Sequence, residues 1–203
     1  MSDDSKRSER LSRTLTSILR HKAVQMRIPI KADGYVNVKD LLNVKDIKKL
    51  QGTVEDIRAA VINCSKQRFQ LKEVEDGQVY IRAVQGHSMK EVKSEELLIP
   101  ITLEEVTEGK YPHAIHGTYF KAWVEIQKSG GLSPMNRTHI HFSSEPFGSK
   151  DMISGMRSNA QVLLNVNLAE AIAAGHKFWI ANNRVILCDS KLLPLKYLTM
   201  EKA

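Results

Sequence analysis

The sequence predicts an α+β protein built as two lobes that divide at about residue 98. Three observations point to it. Up to about residue 65 the apolar residues recur at helical spacing, and a single hairpin follows. Beyond residue 99 short strands dominate, with one or two helices among them. Between the halves, MKEVKSEELL at 89–98 is charged, lacks Gly and Pro, and ends at Ile99-Pro100 as a connector. A chain of 203 residues is long enough to bury a core either as one domain or as two lobes.

Composition narrows the class. An apolar fraction of 42% and a charged fraction of 26% suit a globular protein. The sequence shows no secretory pattern at its start and no apolar run near the ~18 residues a membrane span requires. Cys64 and Cys188 stand far apart in apolar contexts without CxxC spacing, which predicts reduced core thiols in an intracellular protein, in cytoplasm or nucleus. The net charge of +7 is uneven: residues 1–90 hold 18 Lys/Arg against 11 Asp/Glu, and residues 91–203 hold 12 against 12. That asymmetry suggests a polyanionic partner, nucleic acid first, although a solvated basic surface also accounts for it.

In the first lobe, MSDDSKRSER is polar and predicted to fray. Leu11, Leu15, Ile18 and Leu19 form the apolar stripe of a helix from about Ser8 to His21, closed by Arg20-His21-Lys22 where the dipole favours cations. That preference explains Lys22 easily; an Arg-His pair also suits a phosphate. Asp33-Gly34 marks a turn, and residues 38–42 read as a short helix. Thr53 caps a helix whose Val54, Ile57, Val61 and Cys64 share a face. Phe69 and Leu71, a turn at Asp76-Gly77, then Val79, Ile81 and Ala83 make a two-stranded hairpin. Helices followed by such a wing predict a winged-helix-like lobe. Arg68 precedes the first wing strand and Arg82 ends the second. Gln85-Gly86-His87-Ser88 then offers amide, bare backbone, imidazole and hydroxyl, which suits a phosphate or ribose and is equally a plain hairpin exit.

The second lobe is organised around residues 113–143. A short strand and helix at 101–109 lead into it. His116-Gly117-Thr118 opens it, and Phe120, Trp123, Val124 and Ile126 predict a helix that Gly130-Gly131 stop. Thr138 to Phe142 alternates, so His139 and His141 share one face and Ile140 and Phe142 the other. Polar groups converging from a helix entry and a strand end are how ligand clefts are built. Residues 145–148 form a turn and 154–158 a polar loop; 162–166, 178–180 and 185–187 read as strands, and 168–174 as a helix stopped by Gly175.

Several chemistries find no support: there is no P-loop, GxGxxG, GxSxG or HExxH pattern. His113, His116, His139 and His141 lack neighbouring Cys or carboxylates at ligand spacing, so no metal is expected. What remains is a set of cations at element ends, Arg20, His21, Arg68 and Arg137, with the His-Gly-Thr entry. Arginine forks and a protonated histidine suit a phosphate monoester dianion.

LRHKA (19–23), Gln67-Arg68-Phe69, IRAVQGHS (81–88), HGTYFKAW (116–123) and GLSPMNRTHIHFS (131–143) together resemble the tRNA 2′-phosphotransferase family, in family order and over nearly the whole chain. The resemblance implies a winged-helix-like RNA lobe at 1–98 and an ADP-ribosyltransferase-like NAD-binding lobe at 99–203. It implies catalytic roles for Arg20, His21, Arg68 and Arg137, and NAD⁺ binding at His116, Gly117, Thr118, Ser133, Asn136, His139, His141, Ser143 and Arg157. RNA or phosphate contacts fall on Lys22, Arg82, Gln85, Gly86, His87 and Ser88. The glutamate of other ADP-ribosyltransferases corresponds to the apolar segment around Val185, and Arg184 stands where the family pattern has glycine.

The implied substrate is tRNA with an internal 2′-phosphate, served by a monomer with NAD⁺ as co-substrate and no membrane partner. The phosphate attacks the nicotinamide ribose at C1″ and nicotinamide leaves; the ribose 2″-OH then attacks phosphorus. RNA is released with a free 2′-OH, and the phosphate leaves as ADP-ribose 1″,2″-cyclic phosphate. A dianionic nucleophile requires no general base, which makes the missing glutamate tolerable, and arginines stabilise the second step. Two alternatives stand beside this. One is an ADP-ribosyltransferase that modifies nucleic-acid phosphates or protein without removing phosphate; the other is a non-catalytic winged-helix binder.

Overall fold

A computed structural model of the chain describes residues 3–203, a mixed α/β protein with several antiparallel sheets. It divides into two compact units, Met1–Leu97 and Leu98–Ala203.

The first unit opens with helix α1 (Asp3–Ser17), which runs directly into a π-helical turn, Ile18–Lys22. Strand β1 (Val36–Asn37), helices α2 (Val38–Leu42), α3 (Lys45–Lys49) and α4 (Val54–Ile62), strands β2 (Phe69–Glu73) and β3 (Val79–Ala83), and helix α5 (Ser94–Leu97) follow. Leu11, Leu15, Ile18 and Leu19 are buried as their spacing predicts, and α1 packs on α3 and α4 while the π turn meets β3. Thr53 caps α4 in a reciprocal capping box with Asp56, and Ile57, Ala60 and Cys64 are buried beneath it.

Three expectations for this unit change. The start is helical from Asp3 rather than frayed, with residues 1–2 outside the described residues. Arg7 pins it: Nε donates to Leu50 O at 2.7 Å, Nη2 to Gln51 O at 2.9 Å, and Nη1 and Nη2 to the Asp56 carboxylate at 3.1 and 2.7 Å. The hairpin is part of a three-stranded sheet, order β1-β3-β2, because Val36 and Asn37 pair with Ile81 and Tyr80. Finally, residues 89–97 pack on the unit rather than linking loosely: Met89, Val92 and Leu97 are buried, and Lys93 N donates to Ala32 O at 2.8 Å.

The second unit contains β4 (Ile99–Ile101), α6 (Leu103–Thr107), β5 (Ile115–Thr118), α7 (Phe120–Ser129), β6 (Gly131–Leu132), β7 (Ile140–Ser143), β8 (Val162–Val166), α8 (Leu168–Ala173), β9 (Phe178–Ile180), β10 (Val185–Cys188), β11 (Leu193–Pro194) and β12 (Leu198–Lys202). Seven strands form one antiparallel sheet, β12-β8-β5-β7-β10-β9-β4. Edge strand β4 carries Pro100, which has no N–H to offer a further strand. One sheet face buries Ile140, Phe142, Val162, Leu164, Phe178 and Ile186 in the main core. The other carries a smaller cluster of Ile115, Met156, Ala160 and Leu163.

Helix α7 corrects one expectation. Trp123 and Ile126 pack on the core, but Phe120 and Val124 are 46% and 45% exposed. At 3.6 residues per turn these two pairs lie on adjacent stripes, and only one stripe faces the sheet. Cys64 and Cys188 are both buried free thiols, and burial pushes the Cys188 thiol up to about 11.

Candidate active site

In the first unit the π turn sets the geometry. Ala23 N–H donates five residues back to Ile18 O at 2.9 Å, widening the helix just where Arg20 and His21 leave it. Segment 84–88 lies against this turn. Ser88 N donates to Arg20 O at 3.0 Å, and His21 Nδ1 and Ser88 Oγ share a hydrogen bond at 2.9 Å. Gly86, with φ +87°, leaves room for the Arg20 guanidinium: a Cβ there would lie 3.2 Å from Arg20 Cζ. The same segment holds Arg68, whose O accepts from Val84 N at 3.0 Å. Arg68 Nη1 turns back toward Cys64 Sγ at 3.6 Å. Three of the cations singled out by sequence are thus tied to one short stretch of chain.

The other first-unit candidates divide. Lys22, His21 and Ser88 are exposed, whereas Gln85 and His87 are buried, His87 beside the Gly34 turn. Arg82 is committed to the wing: Nε and Nη2 donate to Gln70 Oε1 at 2.9 and 2.7 Å, Nη1 donates to Asp33 O at 3.0 Å, and the guanidinium lies over the Tyr35 ring at 4.6 Å.

In the second unit the sheet is notched. Strand β5 pairs with β8 at all four residues but with β7 only at Ile115, so His116, Gly117 and Thr118 part from β7. Across the opening His116 Nδ1–H donates to His141 O at 2.9 Å, and its ring meets Phe142 edge-on. Burial lowers the His116 pKa most, and the charges of Arg157 and Arg137 lower it further, so the imidazole is neutral with Nε2 as acceptor. His141 Nδ1–H in turn donates to His139 O at 2.9 Å; His139, His141 and Ser143 are all buried.

Arg137 follows Ser133, Met135 and Asn136 on an exposed loop, its N donating to Pro134 O at 3.1 Å. Partial burial and the Arg157 charge depress its pKa, and among the described residues neither arginine is in an ion pair. Two cations without a carboxylate, beside a neutral imidazole, are chemically fitted to a diphosphate or phosphate.

Sequence reasoning missed three contributors here: Tyr119, Met156 and Glu145. Tyr119, next after Thr118, accepts at its OH from Arg157 Nη1 at 3.2 Å, donates to Asn159 Oδ1 at 3.0 Å, and sits under the Arg157 guanidinium. Met156 covers Gly117, where a Cβ would lie 2.4 Å from Met156 Cγ. Glu145 holds Arg184 at 2.6 Å. Adjacency to His-Gly-Thr was a signal for Tyr119; nothing in the sequence pairs Met156 with Gly117. Arg184 takes φ +62°, a left-handed conformation that favours glycine, and Val185 pairs with Ser143 in mid-sheet.

Residues 6–190 match the family described as RNA 2′-phosphotransferase, Tpt1 / KptA family. The chain is 37% identical over 189 residues to a tRNA 2′-phosphotransferase 1 of Danio rerio, covering 91% of this chain and 80% of that protein. It is 38% identical over 164 residues to a tRNA 2′-phosphotransferase of Saccharomyces cerevisiae, covering 80% and 70%. A human tRNA 2′-phosphotransferase 1 is 37% identical over 194 residues, covering 93% and 73%.

Proposed function

Since the chain belongs to the RNA 2′-phosphotransferase, Tpt1 / KptA family, we propose that it removes the internal 2′-phosphate of spliced, ligated tRNA and transfers it to NAD⁺. The products are RNA with a free 2′-OH, ADP-ribose 1″,2″-cyclic phosphate and nicotinamide. The observation that carries the acceptor assignment is the notch of the second unit, where the charges of Arg157 and Arg137, neither in an ion pair among the described residues, act on His116 next to Gly117, over which Met156 lies.

NAD⁺ supplies an electrophilic ribose carbon with a neutral leaving group. Its diphosphate is assigned to Arg157, its nicotinamide ribose to His116, Gly117 and Thr118, and further contacts to Ser133, Asn136, His139, His141 and Ser143. A ligand at the Gly117 backbone displaces Met156, a flexible side chain. Arg20, Arg68 and Arg137 hold the phosphate and stabilise charge on its oxygens as the P–O2′ bond breaks. His21 takes the proton from the attacking 2″-OH and delivers it to the departing RNA 2′-oxygen. Ser88 orients His21, which accords with their 2.9 Å hydrogen bond. The first unit serves as a winged-helix-like RNA lobe and the second as an ADP-ribosyltransferase-like lobe. The protein acts as a monomer inside the cell, in cytoplasm or nucleus, where its buried thiols stay reduced.

The test compares wild type with Arg20→Ala and Arg137→Ala on RNA carrying one internal 2′-phosphate, with NAD⁺ present. Each variant is expected to lose at least ~100-fold in turnover. Wild-type turnover in Arg137→Ala contradicts its assignment. RNA that gains ADP-ribose and keeps it instead supports an ADP-ribosyltransferase without phosphate removal.

A further inference from the structure

The wing sheet of the first unit has two unlike faces. Val36, Phe69 and Ile81 point into the core. On the outer face the pairing sets Asn37, Tyr80 and Lys72 in one row, with Arg82 and Gln70 in the next. No strand position on that face is acidic; Asp33 and Asp76, on turns, accept from Tyr35 N and from Gln78.

Cations and rings are interleaved there. Lys31 Nζ lies 4.3 Å from the Tyr80 ring centroid, and Lys72 Nζ and the Arg82 guanidinium stand over Tyr35 at 5.9 and 4.6 Å. Tyr80 is half-buried, its OH donating to Gln78 Oε1 at 3.2 Å, so its ring is laid along the sheet. Among the described residues, Lys31, Lys72 and Arg82 form no ion pair.

We propose that this outer face of β1-β3-β2 is a platform for single-stranded RNA flanking the reacting phosphate, with Tyr80 stacking a base and Lys31 and Lys72 meeting backbone phosphates. A flat face carrying an aromatic ring, amides and unopposed cations has the chemistry of a single-strand platform, because every base has a π-face and every linkage a charge. Lys31 is exposed and flexible, so it yields the ring to a base and keeps its charge for the phosphate. Arg82, fixed by Gln70 and Asp33, holds Tyr35 and the strand spacing beneath. The choice of RNA rests on the phosphotransferase reading; Tyr80, Lys31 and Lys72 are not among the residues assigned to the reaction.

The test measures binding of a short single-stranded RNA that lacks any 2′-phosphate, without NAD⁺, across a range of salt. Lys72→Glu is expected to weaken binding roughly tenfold and to lower the slope of log K against log salt by about 0.7. Tyr80→Leu is expected to weaken it roughly tenfold at an unchanged slope. Lys48→Glu on α3 makes the same charge change elsewhere and is expected to stay within about twofold. Lys72 is exposed, so its reversal leaves the fold intact and its result stands even where Tyr80→Leu is destabilised. Lys72→Glu and Lys48→Glu weakening RNA equally overturns the platform, as does an acidic peptide of equal charge binding wild type as tightly as RNA. Because no 2′-phosphate is present, loss of the phosphotransferase reading leaves this result independent. Normal phosphate removal with unaltered binding by both wing variants sinks the platform alone.

Discussion

Arg20 and Gly86 form a fitted pair. A methyl at position 86 meets the guanidinium at 3.2–3.3 Å and sits on a left-handed backbone. Gly86→Ala is therefore expected to cost about 1 kcal/mol and to lower 2′-phosphate removal at least ~10-fold, seen as a larger loss in kcat than in thermal stability. His116 offers a pH test. Its folded pKa lies below the ordinary 6.5, so the unfolded chain binds the extra proton first. Its contribution is complete above about 6.5 and is lost as pH falls toward the folded value. His116→Asn, which keeps a donor for His141 O, is expected to flatten that part of the stability profile measured by denaturant unfolding between pH 7 and 5. Arg20, His21, Gly86 and Ser88 were each legible in the sequence as residue types. Their partnership was not, because the His21–Ser88 bond joins positions 67 apart and the glycine answers an arginine rather than a ligand.

Local chemistry made the elements easiest to read. Asp76-Gly77, the Thr53 cap and Gly130, with φ +80°, are turn and cap signals that act within a few residues, and each falls where expected. Strands β11 and β12 escaped because they exist only as partners of β6 and β8. The start of α1 escaped for a similar reason, since its anchor is α4. Asp56 accepts from Arg7 and Thr53, which holds its carboxyl down at about 2 against an ordinary 3.8. Its contribution is full above 3.8 and is lost as pH falls toward 2. Asp56→Ala is expected to cost about 1–2 kcal/mol at neutral pH and little near pH 2, measured by urea unfolding at both. The segment between β7 and β8 offers a second element test. If NAD⁺ takes the face of Gly117 that Met156 covers, Met156→Ala lowers the NAD⁺ KM by a few-fold; a raised KM means the methionine is part of the bound site.

Charge is shared unequally at the scale of the whole molecule: the first unit holds 19 Lys/Arg against 14 Asp/Glu, the second 11 against 9. RNA binding is therefore expected to weaken steeply with salt, while NAD⁺ affinity, which rests on few charges, changes much less. The family was legible because its motifs keep their order along the chain, and the match over residues 6–190 agrees. The sheet order was not, since β4 pairs with β9 and β7 with β10 across long stretches of chain. The most direct test incubates the protein with RNA bearing one internal 2′-phosphate, with and without NAD⁺, and resolves the products by mass. The account predicts loss of the phosphate only with NAD⁺, with nicotinamide and ADP-ribose 1″,2″-cyclic phosphate appearing in equal amounts. Phosphate loss without NAD⁺, or RNA unchanged in both arms, contradicts it.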